Sequence, residues 1–283
     1  MKQPVMIMGM HRSGTSMLTR LLEKAGLFVG NDLSQYHESY FFYQLNNLLL
    51  NQLGGRWDNP PDFDYLFNNE LELNINLDYF HDMLNSVRFR NYVGLKHYLL
   101  NGGINEIDFK WGWKDPQNTI TLPFWLEIFP NAKLVYIERH GVDVAKSLKK
   151  RNDDTLENGI AKYQKYKQLY PFRPKTGGFS FSLRCGTLQG GLDLWNEYRA
   201  AAKVNLALQE NALVHLIKYE DLLSNPHEVL TDLFQFLNLD FDQNLVEKLS
   251  ANLNVSRCFA YRKNEELSEF AKKNEASLTP YKA

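Results

Sequence analysis

Short apolar runs and helical apolar faces alternate along the chain. Residues 5–8 form a continuous apolar run closed by Gly9, which predicts a buried strand. Apolar side chains then recur at the three-and-four spacing of one helical face, at Leu18, Leu21, Leu22 and Ala25. Gly26 suits the end of that helix. The chain therefore opens with a strand, a glycine-bounded loop and an amphipathic helix.

The alternation continues through the rest of the sequence. Further buried strands are predicted at three apolar runs, 109–113, 134–137 and 214–217. Amphipathic helices are predicted at 142–151, at 195–206 and after Pro226, a residue that suits a first helical turn. Strands that alternate with helices indicate an α/β fold of three layers, in which a parallel sheet is covered by helices on both faces.

Two regions interrupt this alternation. Residues 36–107, rich in Asn and aromatic side chains, are predicted to be mostly helical and to contain no strand. Residues 152–191 are polar and carry two prolines and two Gly-Gly pairs, which predicts a long loop or lid. Neither region resembles an interdomain linker. We therefore predict a single domain over residues 1–283, with a helical insertion and a lid loop.

Composition and charge narrow the class of protein. Hydrophobic residues make up 44% of the 283 residues, and the formal net charge of -1 gives no general attraction to nucleic acid or anionic membranes. The cysteines, Cys185 and Cys258, are too few for a disulfide framework or a Cys-based metal site. No apolar run approaches the roughly 18 residues that span a bilayer, and there is no room for a signal peptide. We expect a soluble cytoplasmic protein without a nucleic-acid partner or a membrane span.

The loop between the first strand and the first helix has the chemistry of an anion site. Residues 9–16 keep the Gly-x4-Gly frame in which backbone N–H groups and the positive end of a helix converge on a phosphate. Thr15 and Ser16 add hydroxyl donors, and Arg12 adds a cation. A Walker A loop carries Lys at the position of Thr15, and no apolar strand ends in an Asp suited to hold magnesium. We therefore expect a ligand other than a magnesium triphosphate, and no metal.

Two later strand ends carry further cations. Arg139 is suited to clamp a phosphate through charge-assisted hydrogen bonds, and Ser147 lies about two turns into the next helix. A surface salt bridge for Arg139 and a solvated helix face for Ser147 are the alternatives. Lys114 ends another predicted strand and is a candidate to face a reacting group. Asp115 is suited to cap the following turn or to orient Arg12.

The loop Gly-Met-His-Arg-Ser-Gly-Thr-Ser resembles the 5′-phosphosulfate-binding loop of the PAPS-dependent sulfotransferases, in particular their bacterial and carbohydrate-type branches. PAPS is 3′-phosphoadenosine-5′-phosphosulfate. The resemblance extends from residue 4 to about 263 and implies a P-loop-like topology, PAPS as the donor, adenosine 3′,5′-bisphosphate as the product, and no metal. It assigns donor binding to the first loop at His11, Arg12, Ser13, Gly14, Thr15 and Ser16. It also implies that Arg12 contacts the leaving phosphate, and that Arg139 and Ser147 hold the 3′-phosphate.

The same resemblance implies the remaining parts of the site. Lys114 belongs to a Lys-Asp-Pro turn that borders the active cleft in bacterial members, where it is expected to face the sulfuryl group. Arg262 and Lys263 occupy the place of a basic loop that closes over the nucleotide, although the glycine usual in that loop is missing. Glu38 is the preferred general base, by similarity to a catalytic Glu of the carbohydrate-type enzymes. His37 is its competitor, because histidine suits base catalysis near neutral pH.

The acceptor and the rival functions stay open. The helical region 36–107 and the loop 152–191 are expected to shape a pocket for a small-molecule or carbohydrate acceptor, whose hydroxyl or amine receives the group. A small-molecule kinase is the rival enzyme, and it would normally need the Lys that is absent at Thr15. A nucleotide-binding module of the same fold without turnover is the rival from another class. Oligomeric state is not encoded in any of these patterns.

Overall fold

The computed structural model of the chain describes residues 3–278 and 281, without the side chain of Asn101. Within these residues one parallel sheet is formed by β1 (Val5–Met8), β2 (Gly112–Lys114), β3 (Lys133–Glu138) and β4 (Val214–Lys218). The strand order is β2-β1-β3-β4, so β1 and β3 are the inner strands. The predicted α/β fold with a parallel sheet and P-loop-like topology is confirmed.

Helices account for most of the remaining chain. In chain order they are α1 (Thr15–Lys24), α2 (Tyr40–Gln52), α3 (Asp64–Phe67), α4 (Glu70–Asn85), α5 (Arg90–Val93), α6 (Leu95–Asn101), α7 (Asn118–Ile128), α8 (Gly141–Tyr166), α9 (Leu188–Leu206), α10 (Tyr219–Ser224), α11 (Pro226–Phe236), α12 (Gln243–Ser250), α13 (Glu265–Lys273) and α14 (Glu275–Leu278). Helices α2 to α6 lie in the region predicted to be mostly helical. Among the described residues, none of the helices combines the length and apolar character needed to cross a membrane.

The chain divides into two compact units. The first consists of the residues up to Arg139 together with Tyr198–Cys258, and it contains the whole sheet. The second consists of His140–Glu197 together with the residues from Phe259 onward. The single domain predicted over residues 1–283 stays a prediction.

The central strand β1 explains where the core of the first unit lies. Successive side chains of a strand point to opposite faces of the sheet. Val5 and Ile7 pack into a buried cluster with α1 and with α10, α11 and α12. Met6 and Met8 are equally buried and point to the other face, where α7 packs against β1. Apolar residues on both faces of one strand therefore account for the continuous apolar run in the sequence.

Three boundaries differ from the sequence prediction, and one of them is the start of α9 at Leu188, inside the predicted loop and before residue 195. The strand predicted at 109–113 begins only at Gly112; Trp111, just before it, forms an isolated bridge to Phe28, and its carbonyl accepts the N–H of Val5 in β1. Helix α8 passes its predicted end at residue 151, so residues 152–166 of the predicted loop are helical. The apolar periodicity fades in this stretch, but i,i+4 ion pairs between lysines and aspartates, such as Lys149–Asp153 at 2.6 Å, support the helix.

Candidate active site

Apart from Glu38, which precedes α2, the predicted site residues of the first unit lie at or just after the ends of parallel strands. Residues 9–14 follow β1, Lys114 is the last residue of β2, and Arg139 follows β3. Tyr219, the first residue of α10, follows β4. Because all strands are parallel, these residues share one edge of the sheet, which is where open α/β sheets bind ligands.

The loop between β1 and α1 depends on two glycines. Gly9 has a φ of 144° and Gly14 a φ of 103°. A Cβ at Gly9 would lie 2.2 Å from the carbonyl oxygen of Ile137, and one at Gly14 would lie 2.5 Å from the ring of Tyr219. Arg12 also adopts a positive φ, 72°, a strained conformation for a residue with a side chain. Glycine is therefore required at positions 9 and 14, both for the backbone conformation and because neighbouring atoms leave no room for a Cβ.

Three backbone donors at the start of α1 are available to an anion. The loop closes on itself, since the N–H and the hydroxyl of Ser13 both donate to the carbonyl of Met10, at 3.1 and 2.7 Å. In the described part of the chain the N–H groups of Gly14, Thr15 and Ser16 donate to no acceptor. They stand at the positive end of the helix, so this segment has the geometry of a phosphate site.

Side chains from distant elements hold this loop in place. The N–H of Gly9 donates to the hydroxyl of Thr119 in α7 at 3.1 Å. The ring of His11 meets the edge of Trp57 with centroids 4.8 Å apart, and the hydroxyl of Tyr198 donates to the carbonyl of Trp57. The ring of His11 is thus packed against aromatic side chains of the scaffold, and its role in donor binding stays a prediction.

Lys114 and Glu38 form a buried ion pair beside the loop. The Nζ of Lys114 lies 2.8 Å from the Oε1 of Glu38, and their side chains are 1% and 14% exposed. Lys114 also donates to the carbonyl of Tyr36 at 2.9 Å, and the same oxygen accepts the hydroxyl hydrogen of Ser16 at 2.7 Å. One carbonyl therefore joins the first turn of α1 to the Lys114–Glu38 pair.

The electrostatics follow from burial and from these neighbours. Burial lowers the pKa of Lys114 below its usual value, although the charge of Glu38 opposes this shift. The charge of Arg12 also acts to lower the pKa of Lys114, which places the loop cation close to the pair. Burial, followed by the charge of Glu38, raises the pKa of Asp115 to about 7. The charged groups of Arg12, Glu38, Lys114 and Asp115 thus lie close enough together to influence the pKa values of Lys114 and Asp115.

Beneath the pair, Asp115 belongs to a buried polar network centred on Asn46. The carboxylate of Asp115 accepts the N–H of Gln117 at 2.9 Å, so it caps the turn, one of its two predicted roles. Its other oxygen accepts the amide of Asn46 at 2.8 Å. Asn46 also donates to Asn118 and accepts from Thr121 and Trp125, so its amide uses both donor and acceptor sides.

His37, the rival base, has a different charged neighbour from that of Glu38. It adopts a positive φ of 59°, and its Nε2 lies 3.8 Å from the carboxylate of Glu23 on α1. Burial lowers its pKa, and the charge of Arg20 adds to the shift. His37 is therefore oriented towards α1, whereas Glu38 contacts Lys114 directly.

Arg139 is held in place by an aromatic ring that follows β4. Its guanidinium lies 4.6 Å from the ring centroid of Tyr219, a cation–π contact. The same ring fills the space beside Gly14. Tyr219 therefore places Arg139 next to the phosphate loop, as the prediction that both serve one ligand requires.

The predicted nucleotide contacts at Ser147, Arg262 and Lys263 belong to the second unit. Ser147 is half-buried in α8, and Arg262 and Lys263 are exposed. The guanidinium of Arg262 packs 4.2 Å from the ring of Phe259, which adopts a left-handed φ of 45°. This segment thus makes a left-handed turn without a glycine. The donor-binding roles of the three residues stay predictions from the sequence.

The residues that sequence reasoning missed are Tyr36, Asn46, Thr119 and Tyr219. Tyr36, Asn46 and Thr119 carry no motif, because each acts through a contact with a residue far away in the chain. Only Tyr219 offered a signal, as the first residue after a strand at the predicted ligand edge. Over the described residues there is no group of three or more His, Cys, Asp or Glu side chains that could hold a metal ion.

Comparison with known proteins gives a consistent result. The family model described as "Sulfotransferase family" matches residues 4–243. The fold is similar to a sulfotransferase domain from the curacin biosynthetic pathway, with a TM-score of 0.51, 16% identity, and coverage of 97% of this chain and 98% of that one. Nothing among the curated proteins matches the chain.

Two further solved structures match with lower TM-scores. A sulfotransferase from Alicyclobacillus acidocaldarius has 18% identity and a TM-score of 0.45, and the match covers 92% of this chain and 95% of that one. A mouse sulfotransferase complexed with PAP has 15% identity and a TM-score of 0.43, over 93% of this chain and 66% of that one.

Proposed function

The chain belongs to the Sulfotransferase family and is a sulfotransferase, and we propose that it moves a sulfuryl group from PAPS to a hydroxyl or amine of a carbohydrate or other small-molecule acceptor. The observation that carries the proposal is the shared carbonyl of Tyr36. It joins the anion-binding start of α1 to the buried Lys114–Glu38 pair. Transfer of an anionic group needs an oriented phosphate, a cation and a base within one site.

In the proposed site the donor lies along the first turn of α1. The N–H groups of Gly14, Thr15 and Ser16 bind the 5′-phosphate of the donor, and Arg12 neutralises the charge that develops on it. Arg139, stacked on Tyr219, supplies a rigid cation for the 3′-phosphate. Ser147, Arg262 and Lys263 are proposed as further nucleotide contacts on the basis of the sequence alone.

The transfer itself exchanges one bond for another. The acceptor oxygen or nitrogen forms a bond to sulfur while the bond between sulfur and the phosphate oxygen breaks. Glu38 takes the acceptor proton, and the electron pair of the broken bond leaves on adenosine 3′,5′-bisphosphate. Lys114, beside Glu38, stabilises the sulfuryl oxygens. We assign the base to Glu38 because it contacts Lys114, whereas His37 contacts Glu23.

An acceptor screen with radiolabelled PAPS tests the proposal. We expect label to reach at least one hydroxylated or amine acceptor, and Glu38→Gln to lower turnover by about 100-fold or more. Because Gln keeps the oxygen that Lys114 binds, the affinity for adenosine 3′,5′-bisphosphate should stay within about threefold. Glu70→Gln, an exposed position in α4, is the matched control and should keep full activity.

Each other outcome contradicts a stated part of the proposal. Full activity of Glu38→Gln would refute the base assignment, and loss of activity in His37→Asn alone would transfer it to His37. Tight donor binding without transfer to any acceptor would favour the non-catalytic module. Transfer of phosphate from a magnesium triphosphate would favour the kinase.

A further inference from the structure

A cavity lies beside α7 in the first unit. It has a volume of about 860 Å³, and small-molecule sites commonly measure about 300–1,000 Å³. Its walls are the segment from Pro60 to Phe67, the part of the chain from Ile120 to Pro130, and the C-terminal half of α9. No residue of the phosphate loop, and neither Lys114 nor Glu38, lines it. We call it the α7 cleft.

The wall of the α7 cleft is mostly apolar and conformationally restricted. Its prolines and alanines are Pro60, Pro61, Pro123, Pro130, Ala200 and Ala201. The ring of proline fixes its backbone, and alanine has no side-chain rotamers. Binding of a ligand to this wall therefore costs little conformational entropy. The exposed side chain of Val204 adds apolar surface at the opening. This composition suits an apolar molecule.

The neutral polar side chains of the wall donate hydrogen bonds to carbonyls of the protein. Pro123 lies inside α7 and has no N–H for the carbonyl of Thr119, and the amide of Asn205 donates to that carbonyl at 2.8 Å instead. The amide of Gln209 donates to the carbonyls of Pro130 and Ala132. In both side chains, amide N–H groups therefore bind carbonyls of the protein instead of an anionic ligand.

The charged groups of the wall all have one sign. Asp62, Asp64 and Glu127 are exposed lining residues, and the lining contains no Lys, Arg or His. Within the described part of the chain none of the three carboxylates takes part in an ion pair. An acidic rim around an apolar wall attracts a cation that has an apolar body.

We propose that the α7 cleft binds an amphipathic amine, with its apolar body against the proline-rich wall and its ammonium group at the rim formed by Asp62, Asp64 and Glu127. None of the residues assigned a role in sulfuryl transfer lines the cleft, so this proposal does not depend on the proposed function. At neutral pH an alkyl amine is protonated and the three carboxylates are ionised, so their attraction is present.

Calorimetric titration of the full chain with octylamine, octanoate and octanol tests the proposal at pH 7. We expect saturable binding of one octylamine per chain, with an affinity about tenfold or more above that of octanoate because the carboxylates repel the anion. Val204→Trp places an indole at the opening and should weaken octylamine binding by about tenfold or more. Leu99→Trp, an equally exposed position in α6 outside the cleft, should leave it unchanged.

A second pair of measurements keeps the test decisive. Ala200→Leu narrows the same wall at an exposed position and should also weaken binding, so the test does not depend on the folding of one variant. Glu127→Lys should reduce the preference for octylamine over octanoate. Uptake without saturation, equal affinity for octanoate and octylamine, or unchanged binding in both Val204→Trp and Ala200→Leu would overturn the proposal.

Discussion

The buried amide of Asn46 allows the sharpest prediction about what supports the site. In Asn46→Ala the N–H of Trp125 and one oxygen of Asp115 lose the only hydrogen bonds described for them. Asn118 and Thr121 keep other partners, Trp113 and the carbonyl of Gln117. Each buried group left unsatisfied costs about 1–3 kcal/mol, so two of them lower the free energy of unfolding by about 2–6 kcal/mol.

Urea denaturation followed by tryptophan fluorescence measures this loss. Asn47→Ala is the matched control, since Asn47 is the next residue of the same helix and its side chain, within the described residues, bonds only to the carbonyl of Tyr43, one turn away. We expect the control to lose less than about 1 kcal/mol. A loss below about 1 kcal/mol in Asn46→Ala would refute the reasoning, because Trp125 and Asp115 would then have to find other partners.

Two further perturbations test the electrostatics and the loop. Burial raises the pKa of Asp115 from 3.8 to about 7 in the native state. Between about pH 4 and 7 the native state therefore keeps a proton on this carboxyl group that the unfolded state has already lost. Its contribution to stability is therefore lost as pH rises through this window, with a slope of up to about 1.4 kcal/mol per pH unit. Urea denaturation of Asp115→Asn should show a shallower slope, and an unchanged slope would contradict the assignment. Gly14→Ala would push its Cβ into the ring of Tyr219 and should weaken binding of adenosine 3′,5′-bisphosphate by about tenfold or more in calorimetry. Binding within twofold of the wild type would show that the loop tolerates the change.

The parts of the fold and site that could be predicted are those encoded by neighbouring residues. The apolar run of β1 and the glycines of the following loop are local signals, and both were placed correctly. The end of α8 was misplaced because the apolar periodicity fades after residue 151 although the helix continues to Tyr166, with two charge pairs supporting it across residues 149–154. Likewise β2 was placed too early, because Trp111 is buried and apolar although its bridge is to Phe28, outside the four strands.

The supporting residues of the site could not be predicted because their partners lie far away in sequence. The hydroxyl of Thr119 accepts from Gly9 across 110 positions. The amide of Asn46 reaches Asp115 across 69 positions. An isolated Thr or Asn in a helix gives no sign of such a contact, and only the packing of α2 and α7 around the strand ends creates it.

Calorimetric titration with adenosine 3′,5′-bisphosphate, without metal, tests the central claim most directly, with ADP plus magnesium as the comparison. We expect saturable binding of the bisphosphate. Arg139→Ala should weaken it by roughly ten- to a hundredfold, the size of a lost charge-assisted hydrogen bond, whereas the exposed Arg88→Ala should not change it. Preference for the magnesium nucleotide, or equal bisphosphate affinity in Arg139→Ala and the wild type, would contradict the proposed donor site.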